Sequence, residues 1–347
     1  MFQTDTKPMT MRNALLAGGG AILAGAAVAC APASAQETTC DLDRPVMFGG
    51  LDYGSAAFHT ALASFILEEG YGCETDVIPG TTLVLNQGLA RGDVDLLMEV
   101  WTANAAQAFL DAEERGEVER LGATFPDATE GWFVPRYVVE GENAPAPGLV
   151  SVTDLEAHKD LFTDPEEPDK GRFLNCVIGW QCEVVNSKKL IAYGLDDDFT
   201  NVRPGAGAAL EAAVESAYLR GQPILFYHWA PTWLLGKYDF VKLEEPEYDP
   251  EIWSQMMDAE EPERATAYPQ TRVVVGASTQ FTQEAPMLRE FFMSYGMSSE
   301  ATSQALAYMQ ENDASPEEAA QNFLETQGDV WRAWVPDDVA ERVAAAL

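Results

Sequence analysis

The chain has 347 residues, of which 47% are hydrophobic and 10% aromatic. That is enough apolar material for two α/β lobes with sizeable cores, and it excludes a mainly disordered chain. A formal net charge of −35 repels phosphate backbones, which excludes nucleic acid as a partner.

Lys7 and Arg12 precede the apolar run "ALLAGGGAILAGAAVACAPASA", which is too rich in Ala and Gly for a permanent membrane span. Ala33-Ser34-Ala35 before Gln36 fits a signal-peptidase site, so residues 1–35 are expected to be a cleaved signal peptide. Cys30 in "AVAC" is the rival, as a lipoprotein cysteine, although Ala27 rather than Leu stands three positions before it. No later stretch approaches the ~20 apolar residues a bilayer requires. The expected mature protein is therefore exported, soluble and periplasmic. Cleavage removes Lys7, Arg12 and Asp5 and moves the net charge from −35 to −36. Such a surface suits a high-salt habitat, where screening weakens self-repulsion.

Four cysteines remain, Cys40, Cys73, Cys176 and Cys182. An even number in an exported protein favours two disulfides. Cys176 and Cys182 can clip one loop, which leaves Cys40 to tie the N-terminus to Cys73. A metal site is the weaker alternative, because there is no C-x-x-C and His59, His158 and His228 are not at ligand spacing.

From residue 45 the pattern alternates. "PVMFGG" reads as a strand and "AAFHTALASFILEEGYG" as a helix with a Gly stop. "ETDVIPG" is a second strand, "TTLVLNQGLARGD" a helix opened by threonines, and "VDLLMEVW" a third, largely apolar strand. The βαβαβ order implies a parallel sheet, with ligand beyond the C-terminal ends of its strands. Pro, Gly and acid crowd residues 140–172, which marks loops or a lobe boundary. "GAGAALEAAVESAYLRG" is another helix, "PILFYHW" and "TRVVVGAS" are strands, and the chain is mostly helical from Glu284 onward. The expected organisation is a first lobe from 36–138, a second from 139–270, and a return of 271–347 to the first.

Enzyme signatures are missing: there is no G-x-S-x-G, no phosphate loop, and only a lone G-x-G at Gly205 and Gly207. The acidic loop 164–169, with Asp164, Glu166, Glu167 and Asp169, does not match an EF-hand and reads as a solvated loop, with a calcium site as the alternative. No cofactor is expected.

What remains is tryptophan. Trp101, Trp132, Trp180 and Trp229 end strands or begin loops, where side chains meet a cleft rather than a core. Together they point to an aromatic box, with Trp331 and Trp334 as packing. A methylated ammonium or sulfonium lacks strong N–H donors and is held by the negative faces of rings. Glu99 can complement such a cation or bind a polar tail, with a surface or structural acid as the alternative. Thr81 and Thr82, after Gly80 at a helix start, can either cradle an anionic tail or simply cap the helix. His228 reads as a hydrogen-bonded wall residue rather than a base, and Trp233 as packing behind Trp229.

The segments "AFHTALASFILEEGYG", "IPGTTLVLNQGLARGDVDLLMEVW", "GWQCEVVN", "FYHWAPTWLLGKYD" and "FLETQGDVWRAWVPDDVAERVAAAL" span almost the whole mature chain in order. They resemble the substrate-binding proteins of ABC importers for glycine betaine, choline and related osmolytes (OpuAC-like). The resemblance implies a two-lobed type II periplasmic binding protein that closes on ligand in the interlobe cleft and docks on a membrane permease. It places ring positions on Trp101, Trp132 and Trp229, with Trp180 as a neighbouring wall. Many relatives have a further Trp early in the first strand–loop. Here the stretch is "GGLDYGS", where Leu51 falls near that Trp and Tyr53 follows; either Tyr53 substitutes or the pocket has one wall fewer.

The expected function is capture of a small methylated onium solute by a non-catalytic, monomeric binding protein. Glycine betaine or dimethylsulfoniopropionate lead, with choline and trimethylamine N-oxide behind. The alternative is an exported enzyme acting on quaternary amines.

Overall fold

The computed structural model describes residues 39–347; the expected signal peptide and Cys30 lie outside the described residues. The strands are β1 Val46–Leu51, β2 Thr75–Gly80, β3 Leu96–Trp101, β4 Val118–Arg120, β5 Phe125–Pro135, β6 Gly171–Leu174, β7 Phe199–Val202, β8 Leu225–Ala230, β9 Phe240–Lys242 and β10 Thr271–Ser278. They join in the order β2-β1-β3-β10-β5-β8-β6-β7, with β4 on β10 and β9 on β5. β3, "LLMEVW", is buried along nearly its whole length, as expected of a strand covered on both faces. Helix Gly54–Phe65 continues into a wider turn, Ile66–Tyr71, which stops at Gly72 with φ 69°, the left-handed cap that glycine supplies without strain.

The expected parallel pairing holds within two groups, β1 with β2 and β3, and β6 with β7 and β8. Between them the sheet is antiparallel: β10 runs against β3 and β5, and β5 runs against β8. The reason is connectivity. β5 carries the chain out of the first group and β10 brings it back, so each opposes its neighbours. Along β5, Ala128 still pairs with β10, whereas Thr129 already pairs with Ala230 of β8.

Two main cores flank this crossing. One gathers Phe48, Phe58, Leu62, Phe291 and Phe323 with the C-terminal helices. The other gathers Phe173, Val185, Phe226 and Tyr268 and takes in Trp132, Phe133 and Val134 of β5, residues that the sequence pattern groups with the first lobe. Trp331 and Trp334 are packing residues: the Trp331 Nε1–H donates to Leu324 O at 2.9 Å, and Trp334 lies against Tyr295 at 4.6 Å between ring centroids. Among the described residues no helix is long and apolar enough to cross a membrane.

Cys40 is bonded to Cys73 and Cys176 to Cys182. The first bridge closes a segment with a sequence separation of 33 and ties Cys40 to the residues just after the Ile66–Tyr71 turn. Chain-entropy arguments give such a loop about 2–4 kcal/mol. A Cys40→Ser/Cys73→Ser variant is expected to lose that much in denaturant unfolding; a loss under ~0.5 kcal/mol would show the tie to be irrelevant to stability. In the acidic loop, Asp164 is buried, accepts the Glu166 N–H and pairs with Arg172 at 3.3 Å. No group of three or more His, Cys, Asp or Glu among the described residues is placed to hold a metal.

Candidate functional site

A cavity opens at the C-terminal ends of β3 and β8 and is lined by Tyr53, Glu99, Trp101, Glu130, Trp180 and Trp229, together with Thr82, Asn86, Asn104 and Gln181. Its walls come from both groups of strands. Trp180 and Trp229 belong to the second core, whereas Glu99 and Trp101 end β3.

Three rings meet edge to face. Trp180 lies 5.4 Å from Trp229 at 76°, and Tyr53 lies 4.9 Å from Trp180 and 6.1 Å from Trp229. Such contacts point ring edges at ring faces, the arrangement their quadrupoles favour. Tyr53, the residue that precedes helix Gly54–Phe65, brings a third ring into contact with the two tryptophans. The Trp180 Nε1–H donates to Asp52 at 2.5 Å, which ties the second half of the molecule to the first across the cleft. Its loop approaches closely because residue 179 is glycine at φ 90°; a Cβ there would meet Thr81 at 3.0 Å. Trp101 packs edge-on against Phe125 and donates its Nε1–H to Glu99 Oε2 at 3.0 Å.

Trp132 is not at the cavity surface. It is fully buried, tilted against Phe173 at 4.3 Å, and its Nε1–H donates to Asn186 at 2.8 Å. The cause is strand direction. In the antiparallel β5–β8 pair, Glu130 stands opposite Trp229 and Trp132 opposite Tyr227. The row at the cavity is therefore Glu130 and Trp229, and Trp132 is one row deeper. Thr81 also stands back, against Gly179, and its side chain makes no cap bond; Thr82 reaches the cavity. His228 is buried against Trp229 and Phe226, and neither ring nitrogen has a hydrogen-bond partner, which corrects the expected hydrogen-bonded wall residue. Trp233 donates to Glu211 at 2.9 Å and lines a separate cavity on the far side of Trp229.

Four polar residues escaped the sequence pattern: Glu130, Asn104, Asn86 and Gln181. Glu130 had a signal, a lone acid inside "TEGWFVP". It is 2% exposed and accepts from Asn104 Nδ2 at 2.8 Å and Tyr227 OH at 2.6 Å. Burial pushes its carboxyl up to about 7, partly offset by Tyr227, Lys189, Asn104 and Lys242. Burial pushes Glu99 up to about 8, partly offset by Ser55, Trp101 and Tyr53. Burial also drives His59 and His228 down to about 3.

These shifts set a pH profile. A carboxyl raised in the folded state binds more protons there than when unfolded. Its stabilising effect is present at low pH and is lost as pH rises through the folded value, at about 1.4 kcal/mol per pH unit per group. A histidine held neutral does the opposite and loses stability as pH falls below its ordinary ~6.5. The two pairs offset one another from about pH 4.5 to 6.5, so their net loss lies between about pH 6.5 and 8. A Glu99→Gln/Glu130→Gln variant is expected to abolish that alkaline decline in thermal midpoint. An unchanged slope would mean the two acids do not titrate there.

Residues 44–326 match the family model described as the substrate binding domain of the ABC-type glycine betaine transport system. The chain belongs to that family. It is a family of transport proteins rather than enzymes. This binding protein is 26% identical over 182 residues to a trimethylamine N-oxide-binding protein of Pelagibacter ubique, covering 52% of this chain and 57% of that protein. It is 29% identical over 184 residues to the glycine betaine/proline betaine-binding periplasmic protein of Escherichia coli, covering 51% and 52%. The chain thus matches these relatives over about half their length. Among solved structures, a choline-binding protein of an ABC transporter in complex with choline superposes with TM-score 0.71 at 20% identity, over 88% of this chain and 98% of that one. A glycine betaine, L-proline-binding protein from Borrelia burgdorferi gives 0.68 at 20% identity, over 86% and 100%. These likenesses establish the two-lobed type II binding-protein fold.

Proposed function

We propose that this chain is the periplasmic solute-binding component of an ABC importer, a monomer that captures a small methylated onium solute and delivers it to a membrane permease. The observation that carries the reading is the cage itself: Tyr53, Trp180 and Trp229 in mutual edge-to-face contact, with Trp101 completing the wall. Each ring facing a cation contributes roughly 0.5–2 kcal/mol, so four approach the about −8 kcal/mol of a micromolar complex once shape burial is added. Glu99 and Glu130 supply negative potential without an ion pair to neutralise it. Glycine betaine, dimethylsulfoniopropionate, choline and trimethylamine N-oxide form the candidate set, and the trimethylamine N-oxide- and glycine betaine-binding relatives support it.

On this reading the lobes divide at the β5 crossing rather than at 138, the first taking the residues up to 128 with 271–347 and the second 129–270, and closing them about the solute completes the cage. Ligand then favours the closed form by its differential affinity for that form. The test is intrinsic tryptophan fluorescence titrated with the candidate set and with tetramethylammonium. A saturable change with at least one of them is expected. Silence toward all would sink the aromatic-cage reading, and product formation from any would favour an enzyme.

A further inference from the structure

Among the described residues, three buried acceptor atoms on the cavity-lining side chains have no hydrogen-bond partner: Asn86 Oδ1, Glu99 Oε1 and Glu130 Oε2. The unpartnered donor is Trp229 Nε1. The Ser55 hydroxyl, likewise unpartnered, and the Tyr53 hydroxyl face Glu99, while other nearby donors are already engaged. The Asn86 amide bonds to Thr82 O, Trp101 Nε1 to Glu99, and Asn104 Nδ2 and Tyr227 OH to Glu130. No Lys, Arg or His lines the cavity. A buried acceptor left unpaired is costly, so this wall asks its ligand for donors and for positive charge.

A fully methylated zwitterion answers only half of that. Its methyl groups cannot donate strongly, and its carboxylate is repelled by Glu99 and Glu130 once these are ionised, toward pH 8. An ammonium that keeps an N–H, or carries an O–H, supplies charge and donor together. We propose that Glu99 and Glu130, through their unpartnered oxygens, make this cavity selective for alkylammonium cations that bear a hydrogen-bond donor over fully methylated zwitterions. The class comprises partly methylated ammonium ions and hydroxylated quaternary ammonium. The proposal rests on the onium reading above and refines it: choline and trimethylammonium rank ahead of glycine betaine and dimethylsulfoniopropionate. Trimethylamine N-oxide, whose oxygen is an acceptor, falls behind as well.

The charged and titratable surroundings agree. Glu99 is faced by Tyr53 and Tyr295, with Asp52 beyond Tyr53. Glu130 is faced by Tyr227 and Tyr268, with Lys189 and Lys242 behind it. Burial holds both carboxyls partly protonated near neutrality, so a cation that enters drives them to the charged form and expels protons. A donor-bearing cation is therefore bound with proton release and more tightly as pH rises.

The test is calorimetry on the purified protein with choline, trimethylammonium, tetramethylammonium, glycine betaine and trimethylamine N-oxide. It is run near pH 6 and pH 8 in two buffers of different ionisation enthalpy, which reads the proton balance. Choline or trimethylammonium is expected to bind ~10-fold or more tighter than glycine betaine near pH 8, with protons released. In Glu99→Gln and Glu130→Gln, each checked by circular dichroism, that ratio is expected to shrink toward one. Glycine betaine or the amine oxide binding as tightly as both cations would overturn the selectivity, as would a ratio unchanged in both variants. If no onium binds, tetramethylammonium included, the cage reading itself has failed; zwitterion preference with intact onium binding sinks only the refinement.

Discussion

Replacing Trp229 by alanine is expected to weaken onium binding by a few hundredfold while the protein stays folded. Trp229 touches both Tyr53 and Trp180, so its removal opens the cage at its centre. A desolvated cation–π contact is worth about 2 kcal/mol, and the buried ring area adds about as much again. The sum of about 3–4 kcal/mol corresponds to that loss of affinity. Folding survives because the deeper row, Trp132 and Tyr227, anchors the same sheet face independently of it. Trp229→Leu separates the two contributions: it keeps most of the volume and removes the π face. Its affinity is expected to fall nearly as far with a melting temperature close to the parent. Parental affinity in Trp229→Leu would show that the ring is packing alone.

Lys189→Met is expected to destabilise the protein by about 3–5 kcal/mol. Lys189 and Glu245 are both buried, with Nζ 2.5 Å from Oε1, and the ammonium sits 3.8 Å from the centroid of Tyr268. Glu245 also accepts from Tyr193 at 2.9 Å. Removing the lysine leaves a carboxylate in an apolar core with a hydroxyl as its remaining partner. Lys189→Met/Glu245→Leu removes both charges, and such replacements are often neutral, so most of the loss is expected to return. Denaturant unfolding checks both; a single variant within ~1 kcal/mol of the parent would mean water already reaches the pair. Lys189 also helps to hold down the carboxyl of Glu130, so the single variant carries a second signature, a more alkaline titration of the cavity.

The fold was legible where period and punctuation agree. β10 runs over the same residues as its apolar run, Thr271–Ser278, and β3 ends at Trp101 as its pattern requires. The direction of β5 was not legible. A strand that crosses between two halves carries no local mark of doing so, and the rule that places ligand at C-terminal strand ends applies to the parallel groups only. That is why Trp132 looked like a cage ring and Glu130, two residues earlier, escaped notice. Tryptophan announces itself by rarity, whereas one acid among the 56 acidic residues of this chain stands out only when its burial is known. No period marks Tyr53, because the residue before a helix belongs to no repeating face; the resemblance alone drew attention to it.

β5 is one unbroken strand of 11 residues whose partners change between Ala128 and Thr129. In the lobe closure proposed above, rotation of one half against the other would act as torsion about that peptide, and the return near residues 268–271 would follow. Displacement grows with distance from such an axis. Glu130, one residue past Thr129, would stay nearly still, while Trp180, out on its own loop, would sweep further. The proposed site would then join an acid and one ring near the axis, Glu130 and its partner Trp229, to a travelling ring, Trp180.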